Sequence, residues 1–170
     1  MLVSKLILHI EDNFDNRILV RRLLQSAGYH IIEAENAYQA AASLYKYSPD
    51  LILMDINLPG IDGYTLTHKL KTIPGVSKIP IVAITANAMR GDRERSLLSG
   101  CDGYIEKPID IDKFLDQVSD FITNHKTRDG KFEIIDYKTG TAPKGRDPRK
   151  DLQLSVYALA ASDPGIWNER

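Results

Sequence analysis

The sequence predicts an α/β fold, a doubly wound parallel sheet of five strands with helices on both faces. Two observations carry that expectation. Five short runs, "KLILHI", "YHIIEA", "LILMD", "IPIVAIT" and "GYIEKP", are apolar on both faces, as strands covered on both sides must be. Between and after them lie stretches whose apolar residues recur at helical spacing, so strand and helix alternate five times within the first 124 positions. In such sheets the working site lies beyond the carboxyl ends of the strands.

Each helix carries its own punctuation. After the first strand, Leu19, Val20, Leu23, Leu24 and Ala27 repeat at helical spacing and Gly28 stops the helix. Asn36 is placed to cap a second helix running to about Tyr47, and Asp62 a third that ends before Pro74. A fourth is expected around 89–99, closed by Gly100, and a fifth from about Asp110 to Asn124. At "NHKTRDGKFE" the pattern gives way to a polar, charged segment that reads as a linker or turn. Beyond it come a strand expected over 132–138, a loop rich in Gly, Pro and basic residues, and a helix expected over about 150–161 with Leu152, Val156 and Leu159 on its apolar side. The chain thus divides into a domain at 1–125 and an appendage at 126–170, too small to bury much by itself.

Charge excludes some functions. Lys and Arg number 22 against 23 acids, so the chain is no polycation, and no nucleic-acid partner is expected from composition. The run "LILHI" is stopped by Glu11 and Asp12 and is too short for a signal peptide or a membrane span. No membrane partner is expected, and the cytoplasm is the expected location. The single cysteine, Cys101, cannot form an internal disulfide and reads as a small apolar filler.

The polar residues at the strand ends form the candidate site. Glu11 and Asp12 end the first strand, Asp55 the third and Thr85 the fourth, and Lys107 follows the fifth. Singly, such residues cap helices, fill strands or face solvent. Together, three carboxylates in one crevice repel strongly unless a cation joins them, and hard oxygen ligands in an open site suit Mg2+. The backbone carbonyl of Asn57 can add a further ligand. Asp55, held between "LILM" and "INLPG", is the natural nucleophile toward an incoming phosphoryl group, with Lys107 and the Thr85 hydroxyl on its other sides.

The motifs "HIEDN", "LILMDINLPGIDG", "VAITANAM" and "GYIEKP" resemble those of the response-regulator receiver family, the CheY-like domain, over residues 5–124. The resemblance implies a flavodoxin-like sheet of order 2-1-3-4-5. It implies Asp55 as phosphoacceptor, Glu11 and Asp12 as Mg2+ ligands, Thr85 and Tyr104 as a switch pair, and Lys107 before a cis Pro108. It also implies a histidine kinase or histidine phosphotransfer protein as phosphodonor, and a downstream protein target contacted by the fourth helix, fifth strand and fifth helix. His9 departs from the pattern, since an aliphatic residue is usual there, and reads as a tolerated strand histidine.

In the appendage, "EIIDYKTG" followed by "DLQLSVYALA" resembles the RecB-like branch of the PD-(D/E)xK nucleases over about residues 131–161. Asp136 and Lys138, two apart on a strand, share one face. Gln153 and Tyr157 lie at i and i+4 of one helix face. The resemblance implies a metal on Asp136, a water oriented by Lys138, and support from Gln153 and Tyr157. It also requires a further carboxylate from an earlier strand, and Glu133, three residues from Asp136, faces the other way. The tail therefore reads as a non-catalytic appendage. The function expected is a phosphorelay response regulator; the alternative is a phosphorylation-regulated nuclease or DNA-binding protein.

Overall fold

The computed structural model describes residues 4–86, 95 and 98–129, with side chains to 123. Five strands, β1 (Leu6–Ile10), β2 (His30–Ala34), β3 (Leu51–Asp55), β4 (Ile81–Thr85) and β5 (Gly103–Glu106), pair in parallel in the order β2-β1-β3-β4-β5. Four helices are described in full: α1 (Phe14–Ser26), α2 (Ala37–Lys46), α3 (Gly63–Lys71) and α4 (Ile111–Asp129). The helix expected around 89–99 falls largely outside the described residues, as do the strand and helix expected in the appendage.

Alternation along each strand divides the core into two layers. Leu8, Ile10, Ile52, Met54, Ile81 and Ala83 pack with Ala40 and Leu44 of α2 and with Leu66 and Leu70 of α3. Ile7, Leu51, Leu53, Val82, Ile84 and Ile105 pack with Val20 and Leu24 of α1 and with Phe114, Val118 and Ile122 of α4. The central strands β3 and β4 are buried throughout, while the edge strands β2 and β5 are partly exposed, so apolar runs on both faces mark the centre of the sheet best.

The expected caps are in place. The side chains of Asn36 and Asp62 accept hydrogen bonds from the backbone N–H groups of Gln39 and Thr65, and Asn13, a cap not singled out from the sequence, accepts one from Asn16. Gly28, at a φ of 83°, closes α1: Tyr29 N–H donates to the Leu24 carbonyl and Gly28 N–H to that of Gln25. Two expectations shift. The buried stripe of α1 is Arg17, Val20 and Leu24, whereas Leu19 is exposed and Ala27 lies beyond the last helical residue. And α4 continues to Asp129, five residues past Asn124, because no Gly or Pro interrupts the chain before Gly130.

His9 is fully buried in β1, in register with Leu53 of β3 and Glu33 of β2, and neither ring nitrogen has a partner. Burial, with Lys107 and Arg17 adding to it and Asp55 opposing, lowers its pKa from 6.5 to about 3. Between those values the unfolded chain binds the extra proton, so His9 makes stability fall as pH drops below about 6.5, by at most about 1.4 kcal/mol per pH unit. The variant His9→Ile is expected to stabilise the fold by roughly 1–2 kcal/mol, since an unsatisfied buried polar group is removed at similar volume. It also flattens the loss of melting temperature between pH 7 and pH 5.5. Thermal melts across that range check both, and an unchanged pH slope would refute the role assigned to His9.

Candidate functional site

The sheet order makes the site. The chain passes from β1 through α1 to β2 on one side, then crosses back from β2 through α2 to β3 on the other side of β1, and this reversal opens a crevice beyond the carboxyl ends of β1 and β3. Glu11 and Asp12 follow β1 directly, and Asp55 is the last residue of β3. One carboxylate oxygen from each lies within 4.8 Å of the others; Glu11 and Asp55 are buried and Asp12 is exposed. Lys107, just past β5, reaches over the end of β4 into the same space. Its Nζ donates to Glu11 Oε2 at 2.8 Å and to Asp55 Oδ2 at 3.1 Å.

Backbone and neighbouring side chains fix these groups. Glu11 Oε1 accepts from the Asn13 N–H and from Asn16 Nδ2, both at 3.2 Å. The Asn57 N–H donates to Asp55 Oδ1 at 3.1 Å. The Lys107 N–H donates to the Thr85 carbonyl at 2.7 Å, and the Lys107–Pro108 peptide is cis. Gly63 opens α3 against the backbone of Asp55 and Ile56, donating to the Ile56 carbonyl at 2.9 Å; a Cβ there would collide with the Asp55 carbonyl oxygen.

Electrostatics set the chemistry. Burial raises the Glu11 carboxyl above its usual range, with Asp55 adding to the rise, and the hydrogen bonds from Lys107 and Asn16 only partly offset it. Burial by itself would lower Lys107; the hydrogen bonds to Glu11 and Asp55 overcome that and hold it above the ordinary lysine range. Lys107 is thus a fixed cation facing more negative charge than it neutralises. All the oxygen donors are hard, which fits a divalent ion of the Mg2+ type.

Each residue expected from the strand ends is therefore where the sequence puts it, and Glu11, Asp12, Asp55 and Lys107 come together. Asn57 enters through its amide. Tyr104 lies on β5 opposite Ala83 and is 36% exposed. Cys101 is buried as expected; burial pushes its thiol up, against weak hydrogen bonds with Ser99 and Thr67. Asp136, Lys138, Gln153 and Tyr157 lie outside the described residues. Sequence reasoning missed Arg17, Asn16 and Glu35. Arg17 donates to the carbonyls of Glu11 and Asp12 and pairs with Glu35. The available signal was an arginine three residues before Val20, on the buried stripe of α1.

Comparison with known proteins agrees with this geometry. The response regulator receiver domain profile matches residues 7–119, and the chain belongs to that family. The PD-(D/E)XK nuclease superfamily profile matches residues 115–169. The chain is 39% identical over 120 residues to the polar-differentiation response regulator DivK of Brucella anthropi, covering 71% of this chain and 98% of that protein. The receiver domain of a sensor histidine kinase from Pseudomonas aeruginosa, solved with a magnesium ion coordinated in its active site cleft, superposes with a TM-score of 0.65 at 34% identity, covering 71% of this chain and 99% of that one. A two-component response regulator from Clostridium difficile superposes at 0.66 with 28% identity, covering 71% and 97%. The described part is thus a two-component receiver of the CheY-like kind. Among the described residues, no helix is long and apolar enough to cross a membrane.

Asp12 is the exposed member of a group in which like charges outnumber the lysine. Without divalent ions, Asp12→Asn is expected to raise the melting temperature by about 2–5 °C, because one repulsive charge is removed. Melts in excess chelator check this; a lower melting temperature would contradict the repulsion inferred for the site.

Proposed function

We propose that the receiver accepts a phosphoryl group on Asp55 from a histidine kinase or histidine phosphotransfer protein, and that the phosphorylated form signals by contact with a downstream protein in the cytoplasm. The carrying observation is the Asp55 carboxylate, fixed at the end of the central strand β3, 3.1 Å from Lys107 Nζ and grouped with Glu11 and Asp12. In the transfer, one Asp55 carboxylate oxygen attacks phosphorus. A P–O bond forms as the P–N bond of the donor phosphohistidine breaks, and the electron pair leaves on the imidazole nitrogen. This chain's part is positioning and charge. The Asn57 N–H and Lys107 orient the nucleophile, and Lys107 remains as a fixed cation for the charge that arrives. Glu11, Asp12, Asp55 and the Asn57 carbonyl would hold Mg2+, whose contribution is to neutralise phosphoryl charge; the magnesium in the Pseudomonas receiver supports that reading.

Signalling then follows from the added charge. A phosphoryl group on Asp55 gives the Thr85 hydroxyl, at the end of the adjacent strand β4, a new acceptor, and movement of Thr85 leaves room for Tyr104 to turn inward. The surface around β5 and α4 would change with it. A small phosphodonor with Mg2+ is expected to add one phosphoryl group to the parent chain and none to Asp55→Asn, which stays folded. Intact mass and circular dichroism check the two halves, and full labelling of folded Asp55→Asn would sink the assignment.

The nuclease-family match over residues 115–169 favours a second reading, a phosphorylation-regulated nuclease or DNA-binding protein using Asp136 and Lys138 with Gln153 and Tyr157. It ranks below the first because metal-assisted hydrolysis needs a second carboxylate beside Asp136, and a lone carboxylate holds a divalent ion poorly. Residues 1–125 are accordingly assigned as the receiver and 126–170 as a non-catalytic appendage. The purified chain is expected to show no Mg2+- or Mn2+-dependent cleavage of single- or double-stranded DNA. Cleavage lost in Lys138→Ala yet retained in Asp55→Asn would make the nuclease reading primary.

A further inference from the structure

Arg17 is buried in the first turns of α1, and it contacts the backbone that carries the acidic site. Its Nη1 donates to the Glu11 carbonyl oxygen at 2.9 Å and to that of Asp12 at 2.7 Å. Its Nη2 donates to Glu35 Oε1 at 2.7 Å, from the loop between β2 and α2. The Phe14 ring centroid lies 5.8 Å from the guanidinium carbon. A buried guanidinium is tolerated only when its donors are used. Here they are used on the carbonyls of two consecutive residues, each of which gives a carboxylate to the cluster.

The geometry points to Arg17 as a positioning residue for the metal site. By fixing the Glu11 and Asp12 carbonyls, and being itself anchored by Glu35, it holds two of the three carboxylates in the orientation a divalent ion needs. The inference rests on the Mg2+ reading above. It also has a sign that separates it from a simple charge effect. A cation beside a cation site repels the ion, so on charge alone the loss of Arg17 tightens Mg2+ binding and Arg17→Lys changes nothing. Positioning acts the other way: both changes weaken binding, because neither Met nor the single ammonium of Lys can span three acceptors in a planar fork. Outer partners of metal-bound groups typically contribute 10- to 100-fold in affinity, and about tenfold is expected here, since Arg17 acts through the backbone.

The experiment titrates Mg2+ alone into the full chain and follows the amide resonances of Asn13 and Asn57, whose N–H groups bond Glu11 and Asp55. The parent, Arg17→Lys, Arg17→Met and Glu35→Gln are compared. The dissociation constant is expected to rise about tenfold in both Arg17 variants. In Glu35→Gln it is expected to rise severalfold, at low and at high salt alike. Equal or tighter binding in Arg17→Met, or parent-like binding in Arg17→Lys, overturns the inference while leaving the Mg2+ reading intact. Should the Arg17 variants not fold, Glu35→Gln decides, because its side chain is half exposed. Binding that is unchanged, or weakening that vanishes at high salt, overturns positioning. A parent chain that does not bind Mg2+ overturns the metal reading and the inference together.

Discussion

The contact of Lys107 with Glu11 and Asp55 is the constraint on which the functional end of the molecule depends. The lysine lies 96 positions from one partner and 52 from the other, and all three are buried or nearly so. Nothing local can bring them together. The parallel order β2-β1-β3-β4-β5 does so, because it aligns the carboxyl ends of β1, β3 and β5 along one rim. Strand β4 lies between β3 and β5, so the bridging cation needs a long side chain and a fixed root. The Lys107 N–H bonded to the Thr85 carbonyl supplies the root.

That arrangement is poised rather than optimised for stability. Burial holds Glu11 above the usual carboxylate range, the opposite of what a purely structural ion pair would show. One lysine faces three carboxylates, so the site keeps an excess of negative charge that a cation can relieve. His9 adds to the cost on the adjoining strand, an imidazole buried without partners under the same rim. The apolar layers on both faces of the sheet, continuous through β3 and β4, offset these losses. A fold that concentrates its instability at one end can tolerate chemistry there.

Much of this was legible in the sequence because parallel strands buried on both faces leave unbroken apolar runs, and a polar residue ending such a run stands out. Asp55 after "LILM" and Thr85 after "IVAI" are visible for that reason. The caps were legible too, since Asn36 and Asp62 act within three residues of themselves. What stayed hidden depends on contacts between distant elements. Arg17 on a helix reads as a solvated residue until the rotation of α1 is known, and the stripe built on Leu19 placed that rotation slightly wrong. Glu35 has no local pattern, because its role is set by where α1 lies over β2. The end of α4 was missed for another reason: charged residues do not stop a helix, and no Gly or Pro stands between Asn124 and Asp129.

The overlap of the two family matches at residues 115–119 is settled physically by α4. Phe114 and Val118 are fully buried in the layer beneath the sheet, and Ile122 closes the same face. Phe121 packs so closely on β5 that a Cβ at Gly103 would meet its ring. One apolar face cannot serve two cores at once. The part of the nuclease-like match that runs through α4 is therefore already committed to the receiver, and whatever the following residues contribute must be built without it. The helix on which the two matches overlap thus completes the core of the receiver.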